Sequence, residues 1–176
     1  MDMKRLGGVA VTACVLAALS GCGSGSGGGV EARSETTGSP AVKASALELG
    51  KRFETSGGNS AIAHAYKQPF SAPDRVDLLD AGNEFASVDV EVCAGANTTN
   101  AVTTPDLWQL EMPDNRRPKP LTYALPIRDP EFPNGPLAAG ECVRGWVTFQ
   151  APKGVRASDV VLASTNPAGK WTVPSK

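Results

Sequence analysis

Glu84–Cys93 reads EFASVDVEVC, and its alternation decides the fold. Ala86, Val88, Val90 and Val92 share one face; Ser87, Asp89 and Glu91 share the other. Strict period-two patterning rich in β-branched residues is the signature of a half-buried strand. A second stretch repeats it. In Glu141–Gln150 (ECVRGWVTFQ), Val143, Val147 and Phe149 form the inward set, with Arg144, Trp146 and Thr148 opposite. Gly145 interrupts that strand, as a glycine does at a bulge or where another backbone comes close.

Outward from these two strands the chain continues as short extended segments and turns. Leu49–Thr55 reads as a first strand, ended by Ser56-Gly57-Gly58-Asn59. Ile62, His64 and Tyr66 alternate with alanines in a second, and Arg75–Asp80 (RVDLLD) reads as a short third. Trp108, Leu110 and Met112 alternate until Pro113-Asp114-Asn115 breaks the run; Leu121, Tyr123 and Leu125 form another strand. Arg128–Gly140, rich in Pro and Gly, reads as a loop. Val160–Leu162 and Trp171–Val173 close the domain. No segment has helical periodicity. The expected fold is an all-β antiparallel sandwich of about seven to eight strands over residues 47–176.

The N-terminus has a different logic. Lys4 and Arg5 precede an apolar run, Gly7–Leu19, that is too short for a bilayer-spanning helix of about 20 residues. Leu19-Ser20-Gly21-Cys22 follows: two small residues before a cysteine whose thiol can accept a diacylglycerol. The segment resembles the lipobox of bacterial lipoprotein signal peptides. That resemblance implies a signal peptide over residues 1–21, cleavage before Cys22, and lipid anchoring to the outer face of the cell membrane. Stable anchoring needs more than one acyl chain, which a lipidated N-terminal cysteine would carry. Residues 22–46, dominated by Gly, Ser, Thr and Ala, have no apolar period and read as a flexible tether with a root-mean-square reach of roughly 25–30 Å.

Removing Asp2, Lys4 and Arg5 from 17 basic and 18 acidic residues leaves 15 and 17, net −2 over 155 residues. Such a chain has no electrostatic footprint for nucleic acid. One histidine, His64, and one methionine, Met112, remain. No nucleophile elbow accompanies His64, so a catalytic triad is not expected. Nor are a metal site or a cofactor, because too few ligands remain. Asp77, Asp80, Asp89 and Glu91 are the carboxylates that could support glycoside chemistry, but outward acids on strands are ordinarily solvent contacts. Asn97-Thr98-Thr99 matches a glycosylation acceptor, a poor fit to a bacterial lipobox.

Cys93 ends the first diagnostic strand and Cys142 begins the second, both off the apolar stripe. In an oxidising compartment such a pair is expected to bridge. The alternative is a redox pair, though those are usually C-x-x-C. Arg144 and Trp146 form the candidate partner surface. Trp146 has three readings: packing over the disulfide, stacking under Arg144, or an exposed patch. Arg116-Arg117-Pro118-Lys119 reads as a basic hairpin tip, solvated or in contact with headgroups.

Leu49-Gly50, Phe53, Glu84–Cys93, Pro136–Phe149 (PLAAGECVRGWVTF) and Val160–Leu162 together resemble the immunoglobulin-like lipoprotein domains of Gram-positive bacteria. These are mostly domains of unknown function, similar in fold to a small secreted immunoprotective antigen of mycobacteria. The resemblance implies an immunoglobulin-like sandwich and transfers no catalytic residue. The function expected is non-enzymatic: a cell-surface binding or scaffolding module with a protein or small-molecule partner. The alternative is an accessory or sensor lipoprotein that binds a small ligand between its loops.

Overall fold

The computed structural model describes residues 45–55, 57–122 and 127–175. Cys22, the signal segment and residues 22–44 lie outside them, as do Tyr123 and Leu125 of one expected strand. Among these residues ten strands run in the order β1 (Leu47–Glu48), β2 (Arg52–Glu54), β3 (Ser60–Lys67), β4 (Asn83–Cys93), β5 (Ala101–Thr103), β6 (Trp108–Glu111), β7 (Gly135–Leu137), β8 (Cys142–Pro152), β9 (Asp159–Leu162) and β10 (Gly169–Thr172). One sheet has the order β1-β10-β9-β6, the other β2-β3-β4-β8; β5 and β7 form a separate ribbon. Among the described residues the pairings between these strands are antiparallel except β1 with β10. The expected antiparallel sandwich is the observed fold.

β4 and β8 are its spine. They pair through all eleven residues, from Asn83 opposite Pro152 to Cys93 opposite Cys142. Their apolar stripes meet Trp108, Leu110, Val160, Leu162 and Trp171 from the other sheet. Trp108 and Trp171 are fully buried, with ring centroids 5.6 Å apart. Each large apolar side chain removed from water stabilises the fold by roughly 1.5–3 kcal/mol before conformational entropy is charged against it.

Three sequence expectations need correction. The expected first strand, Leu49–Thr55, is shorter: Leu49 and Gly50 form a turn, and a separate short strand precedes it. Leu47–Glu48 pairs in one sheet, Gly50 turns with φ +84°, and Arg52–Glu54 pairs in the other. A left-handed backbone angle costs glycine no Cβ clash, so the chain can change sheets there. The expected strand Arg75–Asp80 is instead part of a 3-10 helix, Pro73–Leu78, with no buried residue. Pro73 fixes φ at the first helical position, and Val76 has no sheet to enter, remaining 62% exposed. The loop expected at Arg128–Gly140 contains β7, which pairs with β5.

The register within β3 also differs from simple alternation. A bulge between Ala63 and Ala65 places Tyr66 on the core side with Ala61 and Ala63, and leaves His64 on the opposite face. The close approach signalled by Gly145 is real: a Cβ there would lie 2.6 Å from backbone atoms of Glu131 and Phe132. Residues 120–121 and 130–132 line the free edge of β8, where Leu121 N–H donates to Thr148 O and Phe132 N–H donates to Trp146 O.

Candidate interaction face and disulfide

The outward face of β4 and β8 carries the residues singled out from the sequence. On β4 it presents Phe85, Ser87, Asp89, Glu91 and Cys93; directly opposite stand Gln150, Thr148, Trp146, Arg144 and Cys142. It divides into a covered half and an open half.

The covered half is sealed by residues 70 and 128. Phe70 stacks on Phe85 at 5.4 Å between centroids. The Arg128 guanidinium sits 3.4 Å from the Trp146 ring centroid and 5.2 Å from that of Phe70, and donates to Ser87 Oγ at 2.6 Å. Removal from water pushes the Arg128 pKa down, with the nearby Asp89 charge opposing the shift. Phe85 and Ser87, outward by parity, are therefore buried. Trp146 does stack under an arginine, but the arginine is Arg128, not Arg144. Sequence reasoning missed this because Arg128 lies in an irregular segment, and nothing local announces a cation–π partner 18 residues from its ring.

The open half begins beyond Asp89, which is itself buried rather than the solvent contact expected of an outward acid. Arg144 grips it with both arms of its fork, Nε to Oδ1 at 2.9 Å and Nη2 to Oδ2 at 2.7 Å. This carboxylate bond, the first cause, holds the Arg144 pKa above its ordinary value. Bidentate pairing fixes the guanidinium plane while the Arg144 side chain stays 53% exposed. Beyond it, His64 Nε2 lies 3.2 Å from Glu91 Oε2.

At the end of this face Cys93 and Cys142 form a disulfide, with Cα atoms 4.0 Å apart. They sit directly across from one another, and the next backbone bond runs from Ala94 N–H to Glu141 O. The cysteines thus occupy a non-hydrogen-bonded pair, where facing Cα atoms approach most closely. Cys93 is buried and Cys142 exposed. Among the described residues, Glu91, Cys93 and Cys142 are the set with donor atoms close enough to hold a cation, within 4.8 Å of one another, but the bridge occupies both sulfurs.

The remaining candidates do not join this face into a catalytic set. Asp77 lies on the 3-10 helix and Asp80 just beyond it, while Asp89 and Glu91 are engaged by Arg144 and His64. In the basic turn, Arg116 pairs with Asp114 at 2.6 Å and Arg117 with Glu111 at 2.7 Å.

A second feature lies at the same end of the sandwich. The loops around Thr55–Asn59 and Ser164–Pro167 bound two adjoining cavities of about 200 and 550 Å³. Thr55, Asn59, Ser164 and Thr165 border both, and Val92, Val102 and Leu107 line the smaller.

The architecture and its covered outer face define an immunoglobulin-like β-sandwich. No family model matches the chain, and no curated protein does. Among solved structures the chain is similar to a secreted protein of Mycobacterium tuberculosis, MPT63. The TM-score is 0.54 at 11% identity, covering 74% of this chain and 99% of the other. A functionally unknown protein from Listeria monocytogenes EGD-e has a TM-score of 0.49 at 12% identity, covering 74% of this chain and 85% of that one. At 11% identity the likeness to the mycobacterial protein establishes the fold alone. Among the described residues no helix is long and apolar enough to cross a membrane.

Proposed function

We propose that this protein is a lipid-anchored, extracytoplasmic display module: a non-catalytic sandwich tethered through Cys22 that offers a binding or scaffolding surface outside the cell membrane. The observation that carries the reading is the Cys93–Cys142 disulfide in strand register, which suits a chain whose Leu19–Cys22 resembles a lipobox. Persistent disulfides belong to oxidising compartments, which is where a lipobox sends a chain. The secreted mycobacterial protein of like fold agrees with that location. The partner surface centres on Arg144, whose guanidinium is pre-oriented by Asp89 and exposed, with Trp146 beneath Arg128 as its rigid floor.

Photo-crosslinking groups at positions 141 and 116, introduced separately, test this on intact cells, the exposed position 141 leaving Arg144 in place. A discrete adduct from position 141, absent from position 116 on the basic turn and lost on adding Arg144→Ala, supports the surface; identical patterns from both positions overturn it. Turnover of a hydrolase substrate panel that disappears in Asp89→Asn overturns the non-catalytic reading. The second reading, a small ligand held between loops, is favoured by the adjoining cavities at Thr55, Asn59, Ser164 and Thr165.

A further inference from the structure

The two cavities at the Thr55–Asn59 and Ser164–Pro167 loops form one cleft of divided chemistry. The smaller, about 200 Å³, reaches between the sheets: Ala61 of β3, Val92 of β4 and Leu162 of β9 line it, with Leu107 just before β6. Val102, 60% exposed, borders it as well, so apolar surface continues outward to solvent. The larger, about 550 Å³, is lined by Phe53, Gly57 and Asn166. Thr55, Asn59, Ser164 and Thr165 border both, setting hydroxyl and amide groups where the two meet. Among the described lining residues Glu54 alone carries a charge, and none is basic.

The polar border is held in place from both sides. Asn59 Oδ1 accepts from Gly95 N–H at 2.8 Å and from Thr98 Oγ1 at 2.6 Å, which leaves the carboxamide NH2 to offer a ligand. A Cβ on Gly95 would lie 2.8 Å from Gly58 O, so the Gly57–Asn59 turn rests directly on the chain that follows β4. Thr165 Oγ1 accepts from Gly169 N–H at 3.1 Å and donates to Leu162 O at 3.4 Å, tying the opposite loop to β9 and β10. Pre-placed polar groups beside an apolar hollow are the make-up of a small-molecule site. We propose that this cleft binds an uncharged amphiphile. Its short aliphatic chain enters the smaller cavity between the sheets; its hydroxylated, sugar-like head fills the larger one, against Phe53 and the amide and hydroxyl groups of the border. A dry apolar cavity of about 150 Å³ holds a benzene-sized guest, so the smaller cavity has room for a chain of several carbons. A charged head would lose hydration here without a buried counter-charge to replace it. The assignment rests on the small-ligand reading and gives that ligand its chemistry; it is independent of the Arg144 surface and uses the chain with its Cys93–Cys142 bridge intact.

The test uses the full oxidised chain carrying Cys22→Ser, so that no lipid of its own competes. Octyl glucoside, kept below its micelle concentration, is titrated into the isotope-labelled chain while NMR follows the amide shifts. Octanol, methyl glucoside, octanoate and octylammonium are titrated in parallel. The expected result is saturable shifts gathered at Asn59, Val92, Leu107 and Thr165. Each of the other four probes should bind at least about 10-fold more weakly, since a buried methylene is worth about fourfold in affinity and an unpaired charge costs more. Val102→Asp should weaken octyl glucoside about 10-fold. The same change at Val76, an exposed valine on the 3-10 helix, should leave its affinity unchanged. Shifts that never saturate or that gather elsewhere overturn the proposal, as does unchanged affinity in Val102→Asp. Any of the four other probes binding these amides as tightly as octyl glucoside overturns the uncharged-amphiphile assignment and leaves the small-ligand reading standing. No shift at these amides with any probe overturns both.

Discussion

Arg128 and Arg144 lie on one face and do different work. Arg128 is stacked on Trp146 and Phe70 and bonded to Ser87, so it closes the face. Arg144 is bonded to Asp89 yet exposed, so it presents the face. Arg128→Ala is expected to lower unfolding free energy by about 1–2 kcal/mol, the loss of a partly desolvated cation–π contact and one hydrogen bond. It should also raise acrylamide quenching of fluorescence. Trp108 and Trp171 are fully buried, so the added quenching reports Trp146. Unchanged quenching would show that Arg128 does not cover the ring. The sequence made the parity of Asp89, Arg144 and Trp146 legible, because alternation needs nothing but the strand itself. The identity of the arginine over Trp146 was not legible, because it depends on where residues 127–132 return to the sheet.

At the scale of elements, β4 was readable from Glu84 to Cys93 and β8 from Cys142 to Gln150, opposed cysteines included, since each strand carries its own two-residue period; Asn83, Ala151 and Pro152, which extend the pairing, were not. Short segments were not. Pro73–Leu78 has an apolar content that suits a strand, but its proline and lack of a pairing partner turn it into a 3-10 helix. The β3 bulge changes which residues face the core, and no residue type in Ala63-His64-Ala65 announces it. Gly145 is the element-level test. Gly145→Ala puts a methyl 2.6 Å from the Glu131–Phe132 backbone, atoms that cannot swing away as a side chain would. The bridge at Glu131 and Trp146 must shift, costing about 2 kcal/mol in a denaturant melt. A variant as stable as the parent would mean that the edge segment does not rest on β8.

For the whole molecule, two terms set stability against its surroundings. The Cys93–Cys142 bridge spans 49 positions in sequence, and loop-closure entropy assigns it about 4 kcal/mol. Reduction should lower the thermal midpoint by a correspondingly large step. The second term is the ion network on the opposite sheet. Lys170 bonds Glu111 at 2.8 Å and Asp159 at 3.1 Å, and Arg117 also reaches Glu111. Lys170, with help from Arg117, holds the Glu111 carboxyl below its ordinary pKa of 4.5. A depressed carboxyl stabilises the fold fully above that ordinary value, and the contribution disappears as pH falls through the depressed one. Glu111→Gln should therefore be less stable than the parent at neutral pH, by up to about 1 kcal/mol, and the gap should close on acidification below 4.5. A gap that persisted at low pH would point to packing rather than charge. Lys170, raised first by its bond to Glu111, gives the mirror limb: its contribution is complete below the ordinary lysine value of 10.5 and fades only above it.

In the proposed molecule, an oxidised sandwich is carried outside the membrane by lipid on Cys22. Intact-mass spectrometry of the protein extracted from membranes of a bacterial host tests it most directly. The account predicts a chain beginning at Cys22, heavier than residues 22–176 by a diacylglycerol thioether, and lighter by two hydrogens for the Cys93–Cys142 bridge. A chain retaining residues 1–21, or one released unlipidated into the medium, or one with both Cys93 and Cys142 as free thiols, would contradict it.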